Sequence, residues 1–457
     1  MPRSRLIKPI IDRTYSVIDY GKGVYLYDMN GNEYLDACSG AVTANIGHGV
    51  EEVLHAMAEQ AKKVTFVYRS QFSNAPAEIL ASKLCELTNE IYPWVFFVNS
   101  GSESTETALK IAVQYWQEKG LPQKRKIISR WISYHGITLG ALSMSGHSTR
   151  RERFDAILEA WPVIEPPYCY RCPFDKTYPS CRLHCANQLE TMINRIGADH
   201  IAAFIFEPVI GASGGAITPP DGYLERIQEI CRKHNILLIA DEVMTGCGRT
   251  GFMLACDHWN IRPDIVTLGK GLSAGYSPLA AVLMTDQVME PILKGSKMIM
   301  SGHTYSGNPL SCAAALSVLS YLEKNRIIEG VQEKSDYFTQ NLHQLKQKYN
   351  FIGDIRGKGL LCGIEFVQDV ATKSPFPQEA LFTNMVLEKG FENGIILYPA
   401  SAGLDGKHGD AILVAPPLTI TKKEIDELMT RLENVFIDIE KELSKKVGND
   451  GEGKEKS

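Results

Sequence analysis

A two-domain α/β protein with a mostly parallel sheet is the fold class the sequence predicts, and three observations predict it. The chain has 457 residues, more than a single hydrophobic core usually organises. From about residue 75 onward, short apolar runs alternate with amphipathic stretches, the pattern of strands joined by crossover helices. The composition is 44% hydrophobic and 22% charged, which is that of a packed globular chain.

The elements follow in order. Residues 24–36, Val-Tyr-Leu-Tyr-Asp-Met-Asn-Gly-Asn-Glu-Tyr-Leu-Asp, alternate around Asn30-Gly31, a pair that tolerates positive φ, so a hairpin is predicted there. Then come a helix over Pro76–Leu87, a strand over Val95–Val98, a helix over Glu103–Trp116 and a strand over Lys126–Arg130. Further strands read at Ile201–Phe206, Ile236–Ala240, Asp264–Leu268 and Leu279–Met284, with the helix Tyr223–His234 between two of them. Gly302–Pro309 leads into an apolar helix, Leu310–Leu322; a strand reads at Gly359–Phe366, and a last helix, Lys422–Leu443, follows Pro416-Pro417. The polar stretch from Lys445 to Ser457 predicts a disordered tail. The chain shows no internal repeat.

Several function classes are excluded. A net charge of -5 without a dense Lys/Arg stripe argues against a nucleic-acid surface. No apolar run approaches the length of a membrane span, and the first residues lack the unbroken apolar stretch of a secretory signal. Eleven cysteines, mostly scattered and read as reduced thiols, suit the cytoplasm.

The chemistry is read from a few positions. Asp241 ends the apolar strand at Ile236–Ala240, and Lys270 lies one glycine past the next. Singly, each has a plain alternative: a strand-end cap for the aspartate, a solvated loop residue for the lysine. Together they suit a cofactor that needs both an aldehyde anchor and a partner for a protonated ring nitrogen, which is pyridoxal phosphate (PLP). Ser100-Gly101-Ser102-Glu103 opens a helix after a strand; it reads as a phosphate site at a helix start or as a capping box. Tyr134-His135-Gly136 offers an aromatic ring that could stack on a heterocycle, although a half-buried loop tyrosine is the commoner case. Gly246-Cys-Gly248-Arg-Thr-Gly251 matches a dinucleotide fingerprint in letters only, because no clear helix follows and no acidic residue trails it at the right distance. Cys169, Cys172, Cys181 and Cys185, with His184, have thiol spacings that could hold a structural zinc, though the gap between the pairs is short for common zinc modules. Such a metal would staple a loop, and no metal is expected in the chemistry.

Taken together, these motifs resemble the class III aminotransferases, PLP enzymes of fold type I, over about residues 24 to 440. The resemblance rests on Asp28-Met-Asn-Gly-Asn-Glu-Tyr-Leu-Asp36, Gly47-His48-Gly49, Ser100–Glu106, Tyr134-His-Gly136, Phe206-Glu207-Pro208 with Gly211 and Gly214-Gly215, Asp241–Gly246, Lys270-Gly and His303–Pro309, which recur in family order. It implies a large domain with a mostly parallel sheet of the seven-stranded type, over 66–319, and a smaller α+β domain from 1–65 and 320–444. Position by position, Lys270 would be the covalent anchor and proton carrier, and Asp241 the partner of the ring nitrogen. Tyr134 and Val243 would sandwich the ring, Gly101 and Ser102 would bind phosphate, and Glu207 would lie near the substrate, where an arginine commonly pairs with it. Thr304 would reach the phosphate of the other subunit in a homodimer. The implied reaction moves an amino group from an amine or ω-amino acid to a 2-oxo acid, pyruvate or 2-oxoglutarate. The chain looks closest to the ω-amino acid, diamine and 8-amino-7-oxononanoate group. Other PLP chemistry on the same fold (aminomutase, epimerase or decarboxylase) stands as the alternative, and a non-catalytic scaffold as a remoter one.

Two departures bear on specificity. Where the ornithine and 4-aminobutyrate branch has Gln after Asp-Glu-Val, this chain has Met244, whose sulfur is a weak acceptor. Where that branch has an arginine before the late Pro-Pro, this chain reads Ile412-Leu-Val-Ala-Pro-Pro417. Arg69 is then either a replacement for that carboxylate clamp or a surface residue.

Overall fold

The computed structural model describes residues 5–453. Its centre is a seven-stranded sheet in the order Trp94–Val98, Ala280–Met284, Ile265–Leu268, Leu237–Asp241, Ile201–Phe206, Lys126–Arg130, Val163–Ile164. Ala280–Met284 runs antiparallel to both of its neighbours, and the remaining pairs are parallel. The central strands are buried along their whole length, which is why they read as unbroken apolar runs rather than as alternating ones. The mostly parallel α/β fold is the one expected.

Helix ends explain small differences from the expected bounds. The helix after the first strand of the sheet starts at Gly101 and runs to Glu118, because Ser100 caps it by accepting from Glu103 N–H at 3.2 Å. The helix Ala75–Leu87 starts one residue before the proline, with Asn74 as its cap.

Two four-stranded sheets flank the large one. In the first, Tyr25–Asp28 and Glu33–Asp36 form the expected hairpin. Its turn is organised by Asp28, whose Oδ1 accepts from Asn30 and Asn32 N–H, both at 2.9 Å. The far strand pairs in parallel with Ile395–Ile396, so both halves of the chain enter one sheet. The second contains Ile352–Lys358, Leu361–Phe366, Asp410–Val414 and Tyr398–Ser401. Over it lies the last helix, recorded as Lys422–Gly453, which buries Ile425, Leu428, Leu432, Val435, Phe436 and Ile439 at the three- and four-residue spacing of one helix face. The tail expected over 445–457 overlaps the end of this helix and otherwise lies outside the described residues. The boundary expected at 319/320 falls within the continuous helix Pro309–Lys324.

Two arginines join the parts, Arg249 buried and Arg356 partly so. Arg249 donates to Leu360 O (2.9 Å) and Pro416 O (2.6 Å), and to Ser39 Oγ (3.2 Å) and Asn45 Oδ1 (2.8 Å). Its segment, Gly246–Gly251, is therefore a structural turn, closed by Cys247 N–H to Met253 O and Gly248 N–H to Phe252 O. Arg356 bonds Gly214 O (2.7 Å) and Glu365 Oε2 (2.6 Å). The same carboxylate takes Tyr168 Oη and Arg171 Nε, so the cysteine-bearing excursion is anchored to the second flanking sheet. All eleven cysteines are free. Among the described residues, no group of three or more His, Cys, Asp or Glu side chains is set to hold a metal ion, and no helix is long and apolar enough to cross a membrane.

Candidate active site

The expected residues converge because the sheet is parallel where they occur. Ser100, Tyr134, Glu207, Asp241 and Lys270 each stand within four residues of a strand's carboxyl end, and those five strands point the same way. That edge is where open α/β sheets bind ligands. Gly101, Ser102 and Val243 join these five in lining one cavity of about 380 Å³.

Asp241 is held rigidly. Its Oδ1 accepts from Val243 N–H (3.1 Å) and Thr267 Oγ1 (3.2 Å), and its Oδ2 lies 2.8 Å from His135 Nδ1. The carboxylate accepts there, which places the ring proton on Nδ1. His135 is oriented in turn through its backbone, by N–H to Ser145 Oγ (2.8 Å) and by its carbonyl accepting from Thr105 Oγ1.

Lys270 has a φ of +41°, a backbone state that costs energy for a residue with a side chain and is found at functional positions. Burial pulls its pKa below the usual lysine value; the charges of Asp241 and Glu207 oppose that, and Arg150 adds to it. Glu207 is buried and its pKa is raised, first by burial. Its oxygens accept from Tyr134 N–H and Gly211 N–H, both at 3.0 Å. The expected arginine partner is absent among the described residues; backbone amides hold this carboxylate instead.

At the helix start both sequence readings apply at once. Ser100 caps the helix, while Glu103 reaches back to Asn99 N–H at 2.7 Å. The N–H groups of Gly101 and Ser102 lie in the first turn, where a helix offers them no carbonyl. A Cβ on Gly101 would come within 2.8 Å of Val243 Cγ1, so glycine is needed for this close approach. Gly136, at φ +129°, lets Ile137 N–H donate to Ser102 Oγ at 3.0 Å.

Some residues do not join the cavity. Thr304 is exposed and lines no part of its own chain's cavity. Arg69 donates to Ser301 O at 2.7 Å, lies near Phe96 and lines no part of its own chain's cavity. Met244 does line it. Sequence reasoning missed His135 as the partner of Asp241, and missed His147, Arg150 and Tyr398, which also face the cavity. His135 was within reach, since it sits inside a quoted motif. Tyr398 carries no motif at all.

PLP fits this donor set. A helix start with available N–H groups suits a dianionic phosphate, a pinned carboxylate suits a protonated ring nitrogen, and an amine with depressed pKa suits an aldehyde.

Comparison with known proteins agrees with this geometry. The family model for "Aminotransferase class-III" matches residues 9–436. The chain is 50% identical over 442 residues to an uncharacterized aminotransferase, YodT, of Bacillus subtilis, covering 97% of this chain and 99% of that one. It is 38% identical over 423 residues to the adenosylmethionine-8-amino-7-oxononanoate aminotransferase of Methanocaldococcus jannaschii, with 90% of each covered. Among solved structures, an amine transaminase from an uncultivated Pseudomonas species, in its PLP-bound form, superposes with a TM-score of 0.89 at 35% identity. It covers 96% of this chain and 98% of its own.

Proposed function

The chain belongs to the class-III aminotransferases, enzymes that transfer an amino group between an amine donor and a keto acid with PLP, and on that premise we propose which residues do the work. Lys270 is the anchor of the cofactor's aldehyde and the base of the reaction. Asp241 is the partner of the ring nitrogen, Gly101 and Ser102 hold the phosphate, and Tyr134 and Val243 flank the ring. Glu207 borders the substrate. The observation that carries this reading is the approach of Lys270 and Asp241 to one cavity from the ends of neighbouring strands.

When bound, PLP supplies an electron-accepting ring to the carbon that bears the substrate's nitrogen. The residues supply the rest. Asp241, fixed by three donors, would keep the ring nitrogen protonated by setting its own negative charge beside it. Lys270 Nζ, with its pKa depressed by burial, would take the proton from the substrate carbon and pass it to the carbon that carried the cofactor's aldehyde, and the second half of the reaction runs the same transfer in reverse. The N–H groups at the helix start hold the phosphate end still while the proton moves.

On the same footing we propose a homodimer in which Thr304 reaches the partner's phosphate site; its exposed position outside its own cavity is what supports this. The division into 66–319 and a smaller domain from 1–65 with 320–444 is supported by the sheet that joins Glu33–Asp36 to Ile395–Ile396. The free thiols support a reducing, cytoplasmic setting.

Borohydride reduction followed by peptide mass spectrometry tests the site. The expected adduct is on Lys270; an adduct on another lysine, or none, overturns the assignment. A single-turnover assay with an amine donor should release one oxo product per site, which an epimerase or a decarboxylase would not do.

A further inference from the structure

Two adjacent arginines in the short helix Ser148–Arg151 have opposite fates. Arg151 is consumed by the fold: its Nη1 donates to the carbonyls of Leu142, Ser143 and Ser145 at 3.0–3.2 Å, and its Nε lies 3.5 Å from Asp155. Arg150 is not. Among the described residues its guanidinium makes no hydrogen bond and no ion pair, and it lies 4.8 Å from the centre of the Tyr134 ring. It lines the cavity that holds Lys270, Asp241 and Tyr398, close enough to Lys270 for its charge to act on the amine.

A 2-oxo acid brings a carboxylate bonded directly to the carbon that reacts, so the cavity needs a cation near Lys270 to replace that group's water. Three alternatives are closed. The strand Asp410–Val414 runs into Ala415-Pro416 without a basic residue. Arg69 is held by Ser301 O. His147 also faces the cavity, but burial and the charge of Arg150 push its pKa down to about 4, which leaves it neutral near pH 7. A guanidinium lying on an aromatic face keeps its N–H edge free for a planar, bidentate partner. With Arg150 over one face of Tyr134, the ring keeps its other face for the cofactor.

We propose that Arg150 is the residue that takes the carboxylate of the 2-oxo acid, with Tyr134 as its platform, and so sets the acceptor specificity of the transamination. This rests on the site assignment made above for Lys270 and Asp241. The same contact serves a donor that is an α-amino acid, whereas a donor amine without a carboxylate does not use it.

The test compares Arg150→Gln and Arg150→Lys with the parent enzyme in single-turnover half-reactions, using pyruvate against a carboxylate-free aldehyde, and alanine against benzylamine. A second readout is calorimetric binding of propionate, an unreactive carboxylate. Losing a charge-assisted hydrogen bond predicts that Arg150→Gln weakens pyruvate, alanine and propionate about 10- to 100-fold more than it weakens the carboxylate-free pair. Arg150→Lys recovers part of that gap, since a point charge replaces a fork. Equal losses with both substrate classes, an unchanged affinity for propionate, or a weakened grip on the cofactor (a phosphate role) would each overturn the proposal. Borohydride trapping of the same Arg150→Gln protein separates the two failures. An adduct on Lys270 with no carboxylate discrimination sinks Arg150 alone, and an adduct elsewhere sinks the site assignment beneath it.

Discussion

His135 Nδ1 stands 2.8 Å from Asp241 Oδ2, with the histidine side chain sealed from solvent and the aspartate 4% exposed. The carboxylate that faces the cavity is thus backed by a ring that fixes its plane. His135 Nε2, the other ring nitrogen, is buried without a partner among the described residues, so the ring's orientation is set from the Asp241 side and by its backbone.

His135→Phe keeps a planar aromatic ring and removes the contact to Asp241. Loss of a hydrogen bond to a charged group costs about 1.5–3 kcal/mol, so kcat should fall about 10- to 100-fold while Lys270 still traps cofactor. Asp241→Ala should cost more, since it removes the charge itself. Steady-state kinetics on the two variants check the order; an His135→Phe enzyme with parent-like kcat refutes the backing role.

Gly136→Ala places a Cβ 2.7 Å from Ser102 Oγ and 2.9 Å from Ala141 Cβ, at a φ of +129°. Strain at such a position costs about 1–3 kcal/mol. The damage should fall on the phosphate end of the cavity, as a raised dissociation constant for PLP measured by equilibrium dialysis, with the far-ultraviolet circular dichroism spectrum retained. Parent-like PLP affinity would show that the loop tolerates the change.

Lys270 predicts a pH signature. Its pKa in the fold lies below the usual value because of burial. Between the two values the unfolded chain therefore binds more protons than the native one, and stability rises with pH through that window. The penalty is full below the window and gone above it. Urea midpoints of cofactor-free protein, followed as pH rises to the usual lysine value of about 10.4, should show this slope, and Lys270→Met should lack it. Asp241→Asn removes a charge that raises the lysine's pKa, so it should widen the window downward.

Glu365→Gln tests the anchoring of the excursion. This carboxylate is fully buried and serves Tyr168, Arg171 and Arg356. Removing one partner of such a buried charged group costs about 3–5 kcal/mol. A matching loss of stability in urea melts is expected, together with exposure to thiol reagents of Cys185, which is buried beside the excursion. Parent-like melting would mean that the network carries no net stability.

What the sequence by itself determined is local in origin. Buried parallel strands read as apolar runs, so the sheet and the positions just past its strand ends, Asp241 and Lys270 among them, could be found by scanning the chain. The motif order added the family and the cofactor. Tertiary structure decided which side chains meet across long separations, because a contact between residues 135 and 241 leaves no periodic trace in either segment. It gave Glu207 backbone amides where an arginine was expected, tied Arg69 to Ser301, and left the Arg150 guanidinium without a polar partner among the described residues while its neighbour Arg151 was used up. Which of two adjacent arginines is spent on backbone carbonyls depends on where those carbonyls lie once the chain has turned, and that is fixed only when the whole fold is packed.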